Sequence, residues 1–89
     1  MAQAKQLLLR RDPSDAGYEV MRRELIAARK ANSLSQQSLA DMIGRPQSFV
    51  AKVERGERSL DVVEFAVIAR ILNMDVVKTI ALILSAVGE

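Results

Sequence analysis

The sequence predicts an all-α domain of five helices, and three observations carry that prediction. From Leu39 to Val53 the apolar residues recur three or four places apart, as neighbours on one helical face do. Residues that start helices stand ahead of the apolar runs at Asp12-Pro13, Asp61 and Asp75, and residues that stop them follow at Asn32, Gly44 and Asn73. The last run, Val76 to about Val87, is apolar nearly all round.

Residues 1–11 mix small, polar, leucine and basic residues without a helical period and read as an N-terminal arm. Leu7-Leu8-Leu9 is too short for a secretory signal and is followed by Arg10-Arg11, which read as a basic tail or as an arm entering a minor groove. A folded unit is expected over 12–74. Its first helix starts at Asp12-Pro13-Ser14-Asp15, with Asp12 as cap and proline in the first turn, and runs to about Ala31. Tyr18, Met21, Leu25 and Ala28 form its inward stripe, with Ile26 flanking. Asn32-Ser33 ends it, asparagine tolerating a left-handed backbone.

The second helix opens at Gln36 and the third at Pro46, whose missing amide proton the first turn does not need. Leu39, Ile43, Val50 and Val53 line one shared face. Ala40 is small enough for the two helices to cross closely, and Gly44 supplies a left-handed cap between them. Asp61 caps a fourth helix that closes the core with Val62, Phe65, Ile68, Ala69 and Leu72. Asp75 caps the fifth, forming a C-terminal unit over 75–89. Twelve residues span roughly 18 Å, short of a bilayer core of about 30 Å, and Lys78 interrupts the run. A terminal helix with more than one apolar face has to cover something besides its own domain. The simplest partner is the same helix of a second subunit, through Val76, Ile80, Ile83, Leu84 and Val87.

With 89 residues the chain has room for one core and no sensor domain. A chain of this size buries only about 60–65% of its unfolded surface, so dimerisation would help its stability. The net charge is +2, unevenly distributed: up to Arg58 there are eleven basic and seven acidic residues, and beyond it two and four. The basic half is the one that carries the crossed helices. There is no cysteine or histidine, hence no disulfide, none of the usual zinc ligands and no Cys or His nucleophile. No enzyme, cofactor or metal is expected. On the third helix Gln47, Ser48, Phe49, Ala51, Lys52 and Arg55 are left outward, a face without a carboxylate that suits the major groove of double-stranded DNA.

The run from Leu34-Ser35-Gln36 through Leu39-Ala40 and Gly44 to Gln47-Ser48-Phe49-Val50-Ala51-Lys52-Val53-Glu54-Arg55-Gly56-Glu57-Arg58 resembles the helix-turn-helix of lambda-repressor-like regulators of the Cro and XRE type. The resemblance covers residues from about Tyr18 to Leu72. Two departures stand out: Arg45 replaces the apolar residue usual after the turn glycine, and Pro46 replaces a Ser or Thr cap. The resemblance implies that Gln36 contacts a phosphate and supports Gln47, the alternative being a plain helix-start residue. It also implies that Arg29 pairs with Glu54 as a brace.

Gln47 and Ser48 are expected at base edges, where a glutamine amide can bond bidentately to adenine. Phe49 and Ala51 are apolar contacts to a thymine methyl or sugar, or plain surface. Lys52, one turn beyond Ser48, reaches a guanine or a phosphate, while Arg45, Arg55 and Arg58 clamp phosphates. The expected function is that of a sequence-specific transcription regulator, a repressor binding a palindromic operator as a homodimer, in the cytoplasm on the nucleoid. The rivals are an antitoxin or other interaction module holding a partner protein on the C-terminal helix, and a restriction-modification controller protein.

Overall fold

The computed structural model describes residues 15–88, so the arm, with Arg10 and Arg11, and the Asp12-Pro13-Ser14 start lie outside the described residues. Five helices follow in order: α1 (Ala16–Ala31), α2 (Gln36–Ile43), α3 (Gln47–Glu54), α4 (Val62–Ile71) and α5 (Val76–Gly88). The first starts later than the Asp12-Pro13 pair predicts. Asp15 takes the cap, its backbone extended and its carboxylate accepting from the Gly17 amide at 3.2 Å. Ser35 caps α2 by accepting from Ser38 N, and Asp61 caps α4 in a reciprocal capping box with Glu64. Asp75 Oδ1 accepts from Lys78 N at the start of α5.

Helices α1 to α4 all end in the same way, with a left-handed residue and paired amide-to-carbonyl bonds reaching back over the last turn. The left-handed residues are Ser33, Gly44, Gly56 and Asn73. The longer bonds run from Leu34 N to Arg29 O, Arg45 N to Ala40 O, Glu57 N to Lys52 O and Met74 N to Ala69 O, at 2.8–3.1 Å. Ser33, rather than Asn32, adopts the left-handed backbone that ends α1. The Asn32 side chain serves instead as a tie, donating to Ala28 O at 2.7 Å and across to Leu72 O at 2.9 Å. This bond joins the end of α1 to that of α4.

The core consists of Leu25, Leu39, Ala40, Val50, Val53, Ile68 and Leu72, with Met21, Ala28, Ile43, Phe49 and Phe65 among the residues packed around it. It therefore draws on α1 to α4 and holds α2 and α3 crossed. Val62 was expected in this core but is 83% exposed: it lies on the same face of α4 as Phe65 and Ala69, but as the first residue of the helix it stands outside the core cluster. Pro46 is the cap of α3 rather than its first residue, with an extended backbone (ψ 155°) and no side chain to accept from the helix.

Helix α5 packs along α1. Gly17 makes that approach possible: a Cβ there would run into the Val87 side chain, with Ile83 beside it. No helix among the described residues is long and apolar enough to cross a membrane.

Candidate nucleic-acid interface

Helix α3 turns Val50, Ala51 and Val53 inward and leaves Ser48, Lys52 and Arg55 exposed along the other side. Its one carboxylate, Glu54, is withdrawn from that outer face by Arg29 of α1. The guanidinium donates through Nε to Glu54 Oε2 at 2.6 Å and through Nη2 to Oε1 at 3.0 Å, while Nη1 donates to Leu34 O at 2.8 Å. Both side chains are about nine-tenths buried. All three guanidinium nitrogens thus have an acceptor, which a buried charge requires. The pairing implied by the family resemblance is present.

The same carboxylate organises the start of the interface. Gln36 donates through Nε2 to Glu54 Oε1 at 2.8 Å, and Gln47, exposed at the first turn of α3, donates through Nε2 to Gln36 Oε1 at 2.8 Å. Gln36 supports Gln47, as expected, and in addition connects it to the brace. The spacing of residues within α2 and α3 gives no hint of that second connection, which depends on how the two helices cross.

Two residues expected on the outer face are elsewhere. Ala51 is buried, 7% exposed, because it lies one turn before Glu54 and shares the sector that the Arg29 pair draws inward. Phe49 packs against the core with one side of its ring while two cations cover it: Arg58 lies 4.4 Å from the ring centroid and Arg45 5.6 Å. Burial takes Ala51 out of reach of a thymine methyl, whereas Phe49 is half-buried beneath the two arginines.

The three expected phosphate clamps each lie near a carboxylate. Arg58 grips Glu64 with two bonds of 2.8 and 3.1 Å, Arg45 lies 3.9 Å from the same carboxylate, and Arg55 bonds Glu57 at 2.7 Å. The Arg58 bond, aided by the Asp61 amide, holds the Glu64 carboxyl below the usual carboxylate range, and Arg55 does the same for Glu57. All three arginines are exposed. Such surface pairs are weak, so the arginines are available to a competing anion. Glu64 and Glu57 are the functional neighbours that sequence reasoning missed. Asp61 followed three places later by Glu64 is legible as a capping box, but its second use as the seat of Arg58 is a tertiary contact.

Of the residues expected at a dimer interface, Val76, Ile80 and Leu84 are 42–52% exposed, and Val77 beside them is 81% exposed. Ile83 and Val87 are half-buried and face Gly17 of α1, so part of the apolar excess of α5 is covered within the chain.

The helix-turn-helix family matches residues 25–78, from the middle of α1 into α5. Control protein C.SmaI of Serratia marcescens is 32% identical over 60 residues, covering 67% of this chain and 71% of that protein.

Proposed function

The chain belongs to the XRE-like helix-turn-helix family of DNA-binding transcription regulators, and we propose that it represses transcription by occupying a palindromic operator as a homodimer. The observation that carries this reading is the outer face of α3. Gln47 is presented by Gln36, Ser48, Lys52 and Arg55 are exposed, and the helix's own carboxylate is turned away to Arg29. Arg45, Arg55 and Arg58 exchange their carboxylates for phosphates, which supplies salt-dependent affinity without sequence information. Gln47 and Ser48 read base edges, and Lys52 meets a guanine or a phosphate.

The exposed stripe Val76, Val77, Ile80 and Leu84 of α5 pairs two copies, and two α3 helices then meet the major groove about 34–36 Å apart, one per half-site. Among the settings open to such a protein, a relative named as a control protein favours the restriction-modification controller over the antitoxin. Direct adjacency to a restriction-modification cassette would support that choice, and adjacency to a toxin gene would reverse it.

The reading is tested at Gln47. Replacement by alanine is expected to remove preference at a single base pair of each half-site, worth about 1–3 kcal/mol of discrimination. Competition with duplexes carrying each base at that position measures it. Equal weakening on every sequence would make Gln47 a backbone contact.

A further inference from the structure

We infer that the buried Glu54 carboxylate selects which base Gln47 accepts, acting through Gln36 as a polarity relay. The inference rests on Gln47 being a base-reading residue. A glutamine amide is ambiguous on its own, since one end donates and the other accepts, and rotation about its last bond exchanges them. Here the exchange is blocked in sequence. The Glu54 carboxylate only accepts, so Gln36 must present its NH2 group to it, at 2.8 Å. The Gln36 oxygen then faces the other way and accepts from Gln47 Nε2, also at 2.8 Å. Gln47 is left with its NH2 end anchored, its carbonyl oxygen free, and one N–H free beside it.

That ordering has a chemical consequence in the major groove. A free oxygen with an adjacent N–H matches adenine, which offers the N6 donor and the N7 acceptor. Guanine presents acceptors at O6 and N7, and thymine an acceptor at O4, so an outward-facing carbonyl opposes both. A Gln47 without its anchor could turn its NH2 outward and donate to those oxygens. The relay thus works by rejecting the wrong edges. Glu54 is a positioning residue here: it sits beneath the interface, held by Arg29, and touches no base.

The test measures the relative affinity for all four bases at the position that Gln47→Ala relaxes, using the full chain. Gln36→Leu cuts the relay and leaves both Arg29–Glu54 bonds in place. Glu54→Gln keeps the shape but allows either end of the new amide to face Gln36. In both variants guanine and thymine are expected to gain roughly three- to tenfold relative to adenine, the equivalent of one net hydrogen bond. Gln37→Leu, which removes only an exposed bond to Asp41, leaves the ranking unchanged.

Unchanged ranking in Gln36→Leu, with every sequence weakened equally, would make Gln36 a phosphate contact and overturn the relay. If Glu54→Gln fails to fold, Gln36→Leu alone decides. If Gln47→Ala relaxes no position, base reading by Gln47 falls, which is a different failure from an intact preference in the relay variants.

Discussion

Arg29→Ala should cost about 3–5 kcal/mol of stability, the penalty for leaving a buried charge without its partner. For 89 residues the whole stability is of the order of 4–13 kcal/mol. The loss takes about a quarter or more of that stability, and nearly all of it at the low end of the range. The size of the effect follows from what Arg29 satisfies: both oxygens of Glu54 and the Leu34 carbonyl that closes the α1–α2 turn. After its removal Gln36 is the one remaining side-chain donor to that carboxylate among the bonds described. Urea unfolding measures the loss, and a cost below about 1 kcal/mol would show that water reaches the carboxylate easily. Replacing both partners by apolar residues, Arg29→Met with Glu54→Leu, should restore much of the stability. It should not restore base preference, because the relay ends at Glu54. Loss of DNA binding in the single variant would report unfolding, not a contact.

Ile80→Glu is expected to give monomers in sedimentation and to lower operator affinity by about 10²–10⁴-fold, the advantage that linking two half-site readers provides. Ile80 is 42% exposed and lies on the outward stripe with Val76 and Leu84, so a carboxylate there opposes a second copy while leaving the domain folded. Ile83→Glu makes a useful contrast. Ile83 is half-buried against α1 near Gly17, and its replacement should destabilise the chain itself. An unchanged dimer in Ile80→Glu would place the interface on another surface.

Much of the scaffold was legible because helix ends and core spacing are local. Gly44, Asp61 and Asp75 act where their residue types predict, and Leu39, Ala40, Val50 and Val53 form the crossing. What was not legible depends on contacts between elements. Ala51 reads as outward on a lone helix and is buried, on the side of α3 next to the Arg29–Glu54 pair. Phe49 reads as an apolar DNA contact or plain surface, and its cover by Arg45 and Arg58 is a contact between elements that the sequence does not name. The apolar excess of α5 pointed to a second subunit, yet Gly17 opens a place for Ile83 and Val87 within the chain. A glycine in a helix interior has no sequence pattern that names the distant side chain filling its space. The relay from Glu54 to Gln47 is legible only once α2 and α3 are crossed.

Selection of bound duplexes from a randomised pool shows whether α3 reads sequence in symmetric pairs. The expected outcome is enrichment of one two-fold symmetric site whose half-sites lie about one helical turn apart, with an A·T pair at a fixed position in each. Binding that stays uniform across the pool and varies only with salt would contradict it.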